Sequence, residues 1–166
     1  MSQSESAERS QYLSFSLAGV DYAVGILGVR EILQFDGTTR VPSVPSYVRG
    51  VINLRGAVVP VVDLAVKLGL AETAVTKRTC VVIVETSLGG ERAIMGIVAD
   101  TVSEVLDLAP ADVEPAPAFG ADVRVEYLVG MAKVGKGFVL LIDLDEVLTA
   151  GEHDARPRGG PRGAAA

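Results

Sequence analysis

One pattern constrains the fold of this chain more than any other: a long stretch is written twice. Tyr47-Val48-Arg49-Gly50-Val51-Ile52-Asn53-Leu54-Arg55-Gly56, with the apolar run that closes at Asp63-Leu64, returns at an offset of 80 as Tyr127-Leu128-Val129-Gly130 through Asp143-Leu144. Each copy holds a tyrosine, a nearby glycine, a basic glycine-containing turn, an apolar run and a final Asp-Leu. Self-similarity of this kind marks two copies of one structural unit. The turns differ: Asn53-Leu54-Arg55-Gly56 in the first copy, Lys133-Val134-Gly135-Lys136 in the second. A common frame with different polar residues implies that the fold is shared and a site is allotted to one copy.

The local patterns are those of strands. Tyr12-Leu13-Ser14-Phe15-Ser16-Leu17 alternates apolar and polar residues, and Tyr22–Ile26 returns after a turn at residues 18–21, which makes a hairpin. Val29-Arg30-Glu31-Ile32-Leu33-Gln34-Phe35 alternates again, with Val29, Glu31, Leu33 and Phe35 on one side. Glu31 is the anomaly of that side, because a carboxylate among apolar neighbours is costly to bury. Two prolines make residues 41–46 an extended connector rather than a central strand. Residues 50–54 and 57–62 form a second hairpin, in which Pro60 suggests an edge or a bulge, and Asp63 caps a short helix stopped at Gly69. The second half repeats this order: strands at 80–85 and 93–98, Val102-Ser103-Glu104-Val105-Leu106 in place of Val29–Leu33, and a hairpin over 130–143 leading into a helix near 144–150. Gly19 and Gly25 recur as Gly90 and Gly96, both at an offset of 71.

Short strands and tight glycine turns give an all-β class. A unit of about five strands suits a small closed barrel, which also removes exposed edges. The expected architecture is two five-stranded barrels side by side, a first repeat over 11–79 and a second over 80–150, flanked by disordered termini at 1–10 and 151–166. Continuous apolar runs such as Val81–Val84 and Val139–Ile142 would be covered on both faces by contact between the barrels. Whether strands cross between barrels stays open.

Composition removes several function classes. A formal charge of −6 argues against nucleic-acid binding, which needs basic surface. The only histidine, His153, lies in the Gly/Pro/Arg tail, so histidine-based nucleophile, general-base or zinc chemistry has no residue placed in the folded region. No metal site and no cofactor is expected. The single cysteine, Cys80, rules out an internal disulfide framework and fits a reducing cytosol. No stretch has the ~18 apolar residues of a membrane span, and residues 1–11 lack the order of a signal peptide.

With these motifs in view, the chain resembles the CheW family of chemotaxis coupling proteins. The resemblance runs from Tyr12 to about Leu148 and rests on Val29-Arg30-Glu31-Ile32, Tyr47–Gly56, Val58–Leu64, Gly96–Val105 and Tyr127–Gly130. It implies two SH3-like five-stranded barrels with short helical segments, and no catalysis. The implied role is a cytoplasmic adaptor that couples chemoreceptor signalling tips to the regulatory domain of a chemotaxis-type histidine kinase in a two-component system. It would reach the membrane only through receptor arrays. The receptor-facing residues implied are Val29, Glu31, Gly50, Arg55, Val102 and Val105, with Ile32 and Val98 as neighbours; the kinase-facing surface is placed near Asp36, Thr39 and Arg40.

Each of these residues also has a plainer reading. Arg55 alone would be a solvated turn residue; in its block, its planar fork suits carboxylates or carbonyls of a partner. Glu31 either pairs internally, even with Arg55, or meets the partner directly. The valines are core residues by type, and Gly50 and Gly130 are backbone devices. Asp63 and Asp143 are helix caps. The alternative function is a small-molecule-binding or hydrolytic barrel that uses carboxylates such as Asp100 and Glu104 between its halves.

Overall fold

The computed structural model describes residues 9–88, 90–115 and 127–148. The expectations for residues 1–8, for the tail 151–166 and for most of the second proline connector lie outside the described residues. Arg9 and Ser10 are placed: Ser10 opens the first strand, and Arg9 Nε lies 3.2 Å from Asp107 Oδ1.

The described residues are mostly in strands. The first hairpin is β1 (Ser10–Leu17) and β2 (Val20–Gly25), turned by Ala18 and Gly19, both at positive φ (51° and 81°). That geometry matches the twist of the flanking strands. A 3-10 turn, Ile26–Gly28, leads into β3 (Val29–Gln34), and a second hairpin follows as β4 (Val48–Leu54) and β5 (Ala57–Asp63). After the short helix α1 (Leu64–Lys67) come β6 (Cys80–Leu88), β7 (Glu91–Ala99) and β8 (Thr101–Leu108). The two-residue β9 (Val113–Glu114), β10 (Leu128–Val134) and β11 (Gly137–Ile142) complete the order, and residues 144–148 are helical.

These strands form two sheets, ordered β8-β1-β2-β11-β10-β9 and β3-β6-β7-β5-β4. Each sheet therefore takes its first hairpin from one repeat and its remaining strands from the other. Each exchanged hairpin meets the other repeat through one parallel pair, β2 with β11 or β5 with β7, and one antiparallel pair, β1 with β8 or β3 with β6. The two sheets are SH3-like barrels packed side by side, one with an extra sixth strand, β9. Its counterpart in the five-stranded barrel is a single bridge, Thr39 to Val51.

Alternation along the strands builds three cores. In β6, Val81 and Ile83 face the interior of the five-stranded barrel with Val59, Val61 and Val98. Val82 and Val84 face the other way, into a shared core with Phe15, Leu17 and Val24 of the six-stranded sheet. Likewise Val139 and Leu141 of β11 fill the six-stranded barrel, while Ile142 joins the shared core. The apolar runs are continuous because both of their faces are buried.

Pro60 does not mark an edge, since β5 lies between β4 and β7. The residue opposite it, Val51, directs both backbone groups to Thr39 at 2.9 Å, so this is a non-hydrogen-bonded pair of the β4–β5 ladder. The parallel ladder with β7 begins only at Val61, and the donor that proline lacks has no strand to meet. Asp63 caps α1 through Ala65 N, but it does more than cap. Fully buried, it also accepts hydrogen bonds from Thr73 N and Thr73 Oγ1 at 2.9 Å and from Arg49 at 3.3 Å, pinning the connector after α1 to β5.

Gly50 has φ +142°, and a Cβ there would lie 2.2 Å from the Thr39 carbonyl oxygen. Only glycine lets the 38–40 segment lie against β4. Replacing Gly50 with Ala is expected to destabilise the protein by roughly 2 kcal/mol or more. Gly25→Ala, where a Cβ meets nothing within 4 Å, is expected to stay within about 1 kcal/mol. Urea unfolding midpoints of the two variants check this.

Candidate partner-binding site

The site is assembled at one end of the five-stranded barrel and along the seam between the barrels. Glu31 lies on the side of β3 that also carries Leu33 and Phe35, both packed on the five-stranded barrel's core. Its carboxylate is neutralised by Arg55, which donates from both terminal nitrogens, each at 2.8 Å, one to each oxygen. Such bidentate pairing is the geometry a guanidinium fits best. The pair is a rim feature: the side chains are 29% (Glu31) and 69% (Arg55) exposed. The hydrogen bonds from Arg55 hold the Glu31 carboxyl below its usual range against a smaller opposing effect of burial, and Arg55 is raised in turn.

The turn that presents Arg55 is strained. Arg55 sits at φ 53° and Gly56 at φ 90°, and Asn53 Oδ1 braces the turn by accepting from Gly56 N at 2.8 Å. A non-glycine residue in this left-handed region costs about 1–2 kcal/mol. In the second copy the equivalent position is Gly135, at φ 61°. The first copy carries a charged side chain there, on a hairpin turn of the same geometry as Ala18-Gly19.

Beside this pair stands a second network that the sequence reading missed. Glu85 on β6 accepts from Arg30 Nη1 at 2.7 Å and from Arg92 Nε, so that one carboxylate holds two guanidiniums. These hydrogen bonds, that of Arg92 first, hold Glu85 below the usual carboxylate range. The signal available in the sequence was an acidic residue ending the apolar run Val81–Val84, but its partners lie on two other strands.

The aliphatic residues divide. Val29 and Val102 are half-buried at the rim of the shared core, which they approach from opposite sheets. Val105 is 49% exposed on β8, and Ile32 is 43% exposed on the face of β3 away from Glu31. Val98 is withdrawn from the surface altogether. It is fully buried in the five-stranded barrel and can meet no partner. Gly50 is also a correction: the atom that forbids a side chain there belongs to Thr39 of this same chain, not to a docked helix. Asp36 and Arg40 are exposed, and Thr39 is tied into the edge bridge with β4.

The carboxylates of the alternative reading do not converge. Asp100 Oδ2 accepts from Ala18 N at 2.9 Å and braces a turn, while Glu104 is exposed and its backbone N donates to Ser14 Oγ. A depression of about 490 Å³ between the barrels is lined largely by alanine and threonine. Among the described residues no cluster of three or more His, Cys, Asp or Glu could hold a metal ion, and no helix is long and apolar enough to cross a membrane.

Two interlocked SH3-like barrels with an ion-paired, aliphatic rim define a binding scaffold. The CheW-like domain family matches residues 11–152. A chemotaxis protein CheW of Klebsiella aerogenes is 36% identical over 142 residues, covering 86% of this chain and 83% of that protein. The CheW of Helicobacter pylori is 32% identical over 146 residues, covering 88% and 86%. Among solved structures, the scaffolding protein TtCheW of Thermoanaerobacter tengcongensis superposes with a TM-score of 0.71 at 28% identity, covering 83% of this chain and 91% of that one. The chain belongs to the CheW-like family and is a non-catalytic adaptor of chemotaxis signalling.

Two outcomes test the geometry. Arg55→Asn is expected to leave the thermal unfolding midpoint close to that of the unmodified chain, because relief of the turn offsets an exposed ion pair. Because the Glu31 and Glu85 carboxyls are lowered in the folded state, their contribution is present above the ordinary carboxylate range and is lost as pH falls through their depressed values. Acid unfolding of Glu31→Gln/Glu85→Gln should accordingly show a shallower pH dependence than that of the unmodified chain.

Proposed function

We propose that this protein is a cytoplasmic adaptor that bridges the signalling tip of a chemoreceptor to the regulatory domain of a chemotaxis histidine kinase. The receptor side is the rim built from Val29, Glu31, Arg55, Val102 and Val105, with Ile32 at its margin. The kinase side is the edge of the five-stranded barrel at Asp36, Thr39 and Arg40. One observation carries the receptor assignment: a strained turn holds Arg55 in a bidentate pair with Glu31, yet leaves the guanidinium 69% exposed. Ala18 takes the same backbone geometry with no side chain to present, so what distinguishes Arg55 is its exposed guanidinium. The half-buried valines at the seam supply apolar surface of the kind on which a helix packs.

The test is reconstitution with purified receptor signalling-tip fragment and kinase regulatory domain. The unmodified chain should assemble both into one complex. Arg55→His and Val105→Asp should weaken the receptor contact about tenfold, roughly 1.4 kcal/mol, while remaining folded and retaining the kinase domain. Val98→Asp should instead fail to fold. A chain that binds neither partner, under conditions where a known adaptor assembles, would remove the reading.

A further inference from the structure

The two ion-pair networks at the barrel's end share an asymmetry. The carboxylates lie beneath and the guanidiniums above: Glu31 and Glu85 side chains are 29% and 18% exposed, against 69%, 55% and 78% for Arg55, Arg30 and Arg92. Each arginine is anchored from below. A guanidinium has five donors; Arg55 gives two hydrogen bonds to Glu31, and Arg30 and Arg92 give one each to Glu85. The guanidiniums are exposed while tethered to their carboxylates, which lowers the ordering cost of binding an anion.

The surroundings favour one kind of occupant. Leu27, 98% exposed, stands on the 3-10 turn just before β3. That turn rests on β6 at the same place as the arginines, since a Cβ on Gly28 would lie 3.4 Å from the Glu85 carbonyl oxygen. An apolar knob therefore adjoins a cationic strip. The six-stranded barrel is acidic by contrast: among its described residues only Arg9, Lys133 and Lys136 are basic. The strands and turn of the five-stranded barrel balance Arg30, Arg49, Arg55 and Arg92 against Glu31, Asp63, Glu85 and Glu91, so what an acidic partner meets at its end is the exposed guanidiniums, while the six-stranded barrel repels it.

Resting on the receptor reading above, we infer that Arg30, Arg92 and Leu27 extend the Arg55 site into a docking strip for an amphipathic helix that carries carboxylates beside an apolar face. The receptor's signalling tip supplies that helix. Arg30 and Arg92 fix its register through charge, and Leu27 anchors its apolar side.

Titration of the full-length chain against a fluorescent receptor signalling-tip fragment, at low and moderate salt, tests this. The R30Q/R92Q double variant should lose roughly tenfold or more in affinity and show a flatter salt dependence. R30K/R92K, which keeps the charge, should recover part of the loss, and L27S should weaken binding severalfold without altering the salt dependence. Fragments with glutamates and aspartates neutralised should lose affinity for the unmodified chain and become indifferent to R30Q/R92Q. Three results would overturn the inference. R30Q/R92Q could bind like the unmodified chain, in which case the Arg55 site stands without the extension. Vesicles of phosphatidylcholine and phosphatidylserine could bind the chain in an Arg30- and Arg92-dependent way while the fragment is indifferent to both arginines, which assigns the strip to a lipid surface. Or the chain could bind the kinase domain but not the fragment, in which case the receptor reading fails with it.

Discussion

The shared core between the sheets is the constraint on which the rest of the structure depends. Val82, Val84 and Ile97 of one barrel meet Phe15, Leu17 and Val24 of the other, and Ile142, Val147 and Leu148 close the same cluster. Strand β6 is apolar on both sides here, and β1 turns Leu13, Phe15 and Leu17 to the same cluster, so neither barrel could face water there without exposing a large apolar surface. The seam is therefore rigid, and Val29 and Val102, which pack on its rim from opposite sheets, are held at a set separation. A binding surface divided between two modules keeps its shape only because the modules cannot slide.

At the barrel's end the problem is different. Strand β3 carries Glu31 on its inward side, next to residues that fill an apolar core. The chain meets this with a guanidinium from a neighbouring hairpin instead of an aliphatic residue, and it repeats the solution at Glu85 with two arginines. The mouth of the barrel is thereby closed by charge. Exposed ion pairs of this type add little to stability, so the turn strain at Arg55 makes best sense as the condition for presenting a fixed donor array.

Much of the fold was legible in the sequence because period-two alternation and glycine turns are local. The apolar runs at Val81–Val84 and Val139–Ile142 announced strands covered on both faces, and that is how they are buried. Pairing was not legible. The two repeats present similar apolar faces, so no local pattern says which hairpin joins which sheet. The same limit governed the site. Glu31 stood out as an anomaly and its partner was among those weighed, but Arg30 and Glu85 are 55 residues apart and meet only through the β3–β6 pairing. Val98 was misplaced because it neighbours the β8 valines in sequence while its strand turns it inward. Gly50, implied by the resemblance to face the receptor, is the backbone device its residue type suggested, with its clearance taken up by Thr39.

The exchange of hairpins has a consequence for how such a chain is made. When the first half leaves the ribosome, β1 and β2 have only each other, because β8 and β11 are still to be synthesised. The five-stranded barrel can close as soon as β7 emerges, and the opening hairpin must then wait, tethered through Ile26–Gly28, for the last strands. Its contacts are among the longest in sequence, and pairing of that kind is slow. The molecule is thus completed from its two ends, and a copy truncated before β11 keeps β8 beside β1 but leaves β2 without its outer neighbour.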